Sequence, residues 1–418
     1  MIRIMVQNEG RFTLKFSEII SALRALVSTV PANELGQLSQ YKAHYVLDGD
    51  IARVISDIRA YHSLTAALID LVPVLRERFP DDRLLKFVDG RVFQDQPLDK
   101  SLTDARTFFS ELLAIKPFSL TVRAPVSGVR LDNGDRSIKL GAFTFGYAAD
   151  VKSPITEQMK GMYISVKLSG LYDNAIAQVK AEAAFEDAAR MIVFLSGKSD
   201  QSIVIRRGFP LLPDAGPIQM HVGSSSFEFG NEDEGTQSWG IQNLIVERVP
   251  LNDAVFCNNA HLSQLWTLHE RLIGGHSLSE LEARILNSAL AIGESATTRD
   301  RRNSVIYTCI ALEMMFSRDD GALFQKSIGN NVADLFVFVA AKDLESRKAL
   351  AKLTKKVYGM RSAIVHGGSK SVSSENHVIN FMLRAAIGEL LTSAKFKSAR
   401  SLQNVFEMMQ DAQYSYTS

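Results

Sequence analysis

The chain has 418 residues, 46% of them hydrophobic and 22% charged, which is enough for two or three domains with buried cores. A formal net charge of +1 excludes a polybasic binder of the histone type, so any nucleic-acid contact must come from a local patch. Two cysteines, Cys257 and Cys309, stand far apart and fit free thiols in a reducing compartment rather than a disulfide framework.

The first ten residues hold an early acid and no uninterrupted apolar stretch, so no signal peptide is expected. From residue 16 to 117 the pattern is mainly helical. Apolar residues from Ile51 to Phe79 recur every three or four positions, with Pro80-Asp-Asp as a stop. Asp89-Gly90 reads as a small hairpin turn within this region.

From residue 118 to 258 the pattern changes to strands. Asn133-Gly134 sits between an extended run ending at Leu131 and another from Ser137 to Phe145, which predicts a tight hairpin because both residues tolerate positive φ. Met162–Leu168 and Ser202–Arg206 also read as strands, interrupted by a helix over Asn174–Leu195. Pro, Gly and Ser are dense between Gly208 and Gly230, as in a loop-rich β domain.

From residue 259 onward the pattern is helical, broken at Gly274-Gly275 and again from Gly367 to Ser374. The longest apolar run, Leu335 to Ala341, is too short to span a bilayer, so no membrane partner and a cytoplasmic location are expected. The predicted architecture is an α+β multidomain chain. It has a mainly helical region (1–117), a β-rich domain suited to sensing or recruitment (118–258) and an all-α bundle (259–418).

The bundle carries the chemistry. Arg361 and His366 form an R-x-x-x-x-H motif ahead of Gly367-Gly368. A guanidinium can grip a phosphate, and an imidazole can move a proton near neutral pH. Leu350, Leu353, Val357, Met360 and Ile364 fall on one side of a helix and face the core. Lys348, Lys352, Lys355, Gly359, Ser362 and His366 share another face, spread over roughly 80°. Those lysines read either as a ladder guiding a polyanion to His366 or as a solvated face.

His366 itself reads as a proton carrier or as a cap on the last helical carbonyls. Arg361 lies about 140° around the helix from His366, which leaves two routes to a shared phosphate: the long arginine curls round, or a second subunit supplies the complementary group. Glu313 interrupts the apolar stripe Val305, Ile306, Cys309, Leu312, Phe316, and a carboxylate there needs a partner, for which Arg361 is the candidate. That pairing either positions the guanidinium or simply fixes two helices.

Residues 281–391 resemble the HEPN family (higher eukaryotes and prokaryotes nucleotide-binding), in its Apea-like branch. The likeness is carried by Ile310-Ala-Leu-Glu-Met-Met-Phe316 and by the stretch from Leu353 through Tyr358 into Arg361-Ser-Ala-Ile-Val-His-Gly367. It implies a homodimeric, metal-independent endoribonuclease needing no cofactor, with two motifs meeting across the dimer interface. Arg361, Ser362, His366 and Glu313 are then the catalytic set, and Lys348, Lys352 and Lys355 bind RNA, transfer RNA among the candidates. Ser362 stands where nuclease members often carry Asn, Asp or His, and serine is usual in Apea-like sequences.

The chemistry so implied is attack of a ribose 2′-hydroxyl on its 3′ phosphate. A toxin-like or antiphage role, gated by a trigger or protein partner of the preceding regions, is the family-level expectation. The competing expectation is a non-catalytic dimerisation module whose β domain binds a ligand or protein. Other motifs are set aside. Ser196-Gly-Lys-Ser199 lacks the first glycine of a phosphate loop and precedes a strand. Residues 231–235 lack alternating cation ligands, Asp319-Asp320 reads as a helix-end turn, and His261, His269 and His276 have no zinc spacing.

Overall fold

A computed structural model describes residues 15–31, 44–48, 51–93, 104–147, 161–197, 204–207, 218–231, 236–253, 260–298, 300–318, 328–367 and 374–415. They fall into two compact units, Met1–Leu120 with Ser169–Val179 and Thr121–Leu168 with Lys180–Ser418.

In the first unit α1 (Phe16–Ala25) buries Ile19, Ile20 and Leu23 on one face. Strands β1 (Val27–Pro31), β2 (His44–Asp48) and β3 (Ile51–Ile55) form an antiparallel sheet of order β1-β3-β2. Residues 51–55 therefore depart from the helix expected over 51–79. Their β-branched Ile51, Val54 and Ile55 suit a strand paired on both sides. The helix starts only at α2 (Ile58–Asp70), where the Asp57 carboxylate accepts from the N–H groups of Arg59 and Ala60.

After α3 (Val74–Arg78), α4 (Asp81–Val92) runs straight through Asp89-Gly90, which makes no hairpin. Leu84, Val88 and Val92 recur every four residues and are buried, and that periodicity outweighs the local turn preference. The Tyr61 hydroxyl also donates to Asp89 (2.7 Å), tying α2 to α4. Two single-turn helices, α5 (Ala105–Phe108) and α6 (Ser110–Leu113), close a core around Leu23, Leu68, Phe79, Phe108 and Phe109.

The β-rich part of the chain contains β4 (Phe118–Ser127), β5 (Val129–Arg130), β6 (Ser137–Leu140), β7 (Phe143–Tyr147) and β8 (Met162–Leu171). Helix α7 (Asn174–Ser196) follows as read, then β9 (Arg206–Arg207), β10 (Ile218–Asn231), β11 (Thr236–Glu247) and β12 (Val249–Pro250). One sheet has the order β6-β7-β8-β4-β9.

The Asn133-Gly134 turn forms with φ of 60° and 77°, yet among the described residues the runs it joins do not pair. Instead β5 pairs in parallel with β12, and the second run folds back at Gly141 into the β6–β7 hairpin. Gly141 has φ 55°, and a Cβ there would stand 2.7 Å from the Trp266 carbonyl oxygen, so only glycine fits. Of the Pro-, Gly- and Ser-dense stretch 208–230, residues 208–217 lie outside the described residues and the rest is strand from Ile218, with a register shift between Val222 and Ser226. Of Ser202–Arg206, only Arg206 is in a strand among the described residues.

The carboxy-terminal segment is helical as read: α8 (Ala260–Ile273), α9 (Glu280–Thr297), α10 (Arg301–Phe316), α11 (Ile328–Ala340), α12 (Leu344–Val365), α13 (Glu375–Thr392) and α14 (Leu402–Tyr414). Gly275, at φ 76°, ends α8. The architecture is thus α+β. Among the described residues no helix is long and apolar enough to cross a membrane. Cys257, Asp319-Asp320, residues 198–200 and residues 232–235 lie outside the described residues.

Candidate active site

Helix α12 begins at Asp343, whose carboxylate accepts from the Ser346 hydroxyl (2.6 Å) and backbone N–H (2.9 Å). Those bonds hold its carboxyl below the usual carboxylate range. Leu350, Val357 and Met360 are buried as the periodicity requires, while Leu353 and Ile364 are half-buried. Thr354 fills the remaining core position and satisfies its hydroxyl by donating to the Leu350 carbonyl, 2.8 Å away.

The partner face is α10, where Val305, Cys309, Leu312 and Phe316 are buried. The Cys309 thiol contacts the Val357 carbonyl at 3.9 Å, and burial pushes its pKa up to about 12. This seam brings Glu313 on α10 to Arg361 on α12, with Oε1 and Nη2 3.7 Å apart. The pair is less buried than the stripe position of Glu313 suggests: its side chain is 28% exposed and that of Arg361 is 40% exposed. Arg361 can therefore be held at one edge while presenting the rest of its fork outward.

Tyr358 belongs to the same seam and sequence reasoning gave it no role. Its hydroxyl is buried without a hydrogen-bond partner. Burial first, and then the negative charge of Glu313, push its pKa up, so the phenol stays protonated and is available as a donor.

At the other end of the motif His366 caps α12. Its backbone N–H donates to the Ser362 carbonyl (3.1 Å), Gly367 takes φ 74°, and the imidazole is exposed. Because α12 is continuous through Val365, the offset of about 140° between Arg361 and His366 stands. Ser362, Lys348, Lys352 and Lys355 are exposed on the same helix, with Lys348 paired to Glu345 at 3.0 Å. The structure thus joins Arg361 to Glu313 and leaves His366, Ser362 and the lysines open to solvent. Large exposed apolar side chains flank both ends of the motif, Met314 (41%) beside Glu313 and Val365 (58%) beside His366.

Two polar clusters in the bundle went unread in the sequence. Ser295, Ser304, Thr308, Asn376 and Asn380 are all nearly fully buried and hydrogen-bonded among themselves across α9, α10 and α13. His269, set aside as a zinc ligand, is buried against Phe143 with Nε2 3.4 Å from Asp187. Polar residues four apart, as at 304/308 and 376/380, were the available clue to the first cluster.

A separate cleft of about 360 Å³ is lined by Lys139, Gly141, Ser263, Trp266, Thr267 and Glu270. No family model matches the chain, and neither the curated proteins nor the solved structures contain a match to it.

Proposed function

We propose that the chain is a metal-independent endoribonuclease of HEPN type, working as a homodimer whose two motifs form composite sites across the interface. The observation that carries this reading is the Glu313–Arg361 pair, held at 3.7 Å on a helix that ends in the exposed His366. Arg361 stabilises charge on the phosphoryl oxygens, and His366 moves the proton between the ribose 2′-hydroxyl and the leaving 5′ oxygen. The angular offset within one chain favours a site completed by a second copy. Met314 and Val365, apolar and exposed beside the motif, suit such an interface.

Exposed Lys352 and Lys355 supply cationic contacts for an RNA backbone, and the preceding regions act as the regulated portion. The test is cleavage of end-labelled transfer RNA and total RNA in excess EDTA by wild type and His366→Ala. Products with 2′,3′-cyclic phosphate ends from wild type alone support the reading. Equal cleavage by the two proteins contradicts it. A second reading, a ligand-binding module without cleavage, is favoured by the cleft beside Trp266. In that case Arg361→Ala and His366→Ala retain biological function and Trp266→Ala abolishes it.

A further inference from the structure

Arg384 on α13 points to a second site, independent of the R-x-x-x-x-H motif. Its Nη2 donates to the Leu195 carbonyl oxygen at 2.6 Å, while Nε–H is buried with no acceptor. Among the described residues no carboxylate lies within ion-pairing distance of it. Desolvation alone lowers its pKa, with no counter-charge offsetting that effect. Arg384 is half-buried, and the part of its guanidinium withdrawn from water has no anion beside it among the described residues, which costs free energy.

The surroundings keep that arrangement open. The guanidinium borders a cavity of about 70 Å³ whose other walls include Phe194, Gly197, Ile292, Asn380 and Phe381. Gly197, at φ 71°, leaves the space that Arg384 uses: a Cβ there would lie 2.3 Å from Nη1. Asn380 spends its amide on Ser295 and Thr308, so it competes with no ligand for Arg384. The volume holds about five water-sized atoms, which fits a tetrahedral or planar oxyanion and is far below the ~300 Å³ of a typical cofactor pocket.

We propose that this cavity binds one small oxyanion, a phosphate or carboxylate group, with Arg384 as its counter-charge. A bound anion turns an uncompensated charge into a charge-assisted pair, so occupancy stabilises the α7–α9–α13 junction by mass action.

The test is calorimetric titration of inorganic phosphate, and separately of acetate, into the full chain at ionic strength held constant with chloride. Saturable one-to-one binding is expected for at least one of the two, and which one identifies the group. Affinity should fall at least tenfold in Arg384→Met and less in Arg384→Lys, which keeps the charge without the fork. Arg384→Met removes a buried charge and should fold, which a melting curve checks. If it does not fold, Arg384→Lys alone decides, by weakened against unchanged affinity. Absence of saturable binding to wild type overturns the proposal, as does equal affinity in the variants.

Discussion

At the residue scale, Arg361 combines restraint with availability. Glu313 holds one nitrogen, yet 40% of the side chain remains exposed. An ion pair this open contributes about 0–1 kcal/mol to stability, so under the proposed function its value would lie in aim rather than in folding. Glu313→Gln should therefore leave the melting midpoint nearly unchanged while lowering RNA cleavage, as activity and melting curves on one preparation will show. Arg361→Lys keeps the charge but loses the planar fork, and its cleavage should drop by about tenfold or more.

Cys309 gives an independent check on the seam. With its thiol buried and pushed up to about 12, alkylation at pH 8 in a Cys257→Ser background should be negligible until denaturant opens the protein. Labelling in the native state would mean that the α10–α12 seam is open. Asp173 in the first unit supplies a pH dependence. Burial opposes its ionisation, but hydrogen bonds from Arg83 and from the Ala175 N–H outweigh that and leave its pKa lowered. A depressed folded pKa contributes stability above the ordinary carboxylate value, and the contribution is lost as pH falls through the folded pKa. Asp173→Asn should weaken the protein at pH 7 and flatten its loss of stability toward acid pH, measured by denaturant titrations across that range.

At the element scale, the helices of the bundle were legible because burial on one side produces a three-to-four-residue period. The same rule misled at 51–55, where pairing on two sides claimed Ile51 and Ile55, and local turn chemistry misled at Asp89-Gly90, where buried Leu84 and Val88 kept the helix intact. Ser295, Ser304, Thr308, Asn376 and Asn380 escaped notice because the four-residue spacing at 304/308 and 376/380 puts polar groups on one face without showing which groups on other helices will pair with them. Their layer requires complete pairing. Asn380→Ala strips partners from Thr308 and Ser295 and should cost about 1–3 kcal/mol, seen as a lower denaturant midpoint at unchanged slope. Gly293 has a different constraint: a Cβ there would lie 2.2 Å from the Arg190 carbonyl oxygen, so α7 and α9 meet backbone to backbone.

At the scale of the whole molecule, the candidate site was legible as residues but not as an assembly. Sequence spacing placed Arg361 and His366 on different faces, and the unbroken α12 keeps them there. What spacing alone could not supply was the exposure of Met314 and Val365 beside the two groups, which depends on how neighbouring helices cover the seam. Nor did spacing reveal Tyr358 as a buried, unpartnered donor next to Glu313 and Arg361, since that depends on α10 packing against α12.

A composite site makes a demanding prediction about mixed assemblies. Arg361→Ala and His366→Ala proteins, each inactive alone, should be unfolded together, refolded at equal concentration and assayed on labelled RNA in excess EDTA. Recovery of about a quarter of wild-type cleavage is expected where each site pairs Arg361 of one subunit with His366 of the other: half of the dimers are mixed, and each mixed dimer holds one intact site of the two in a wild-type dimer. No recovery, with mixed dimers demonstrated in the same sample and wild type active, would contradict it.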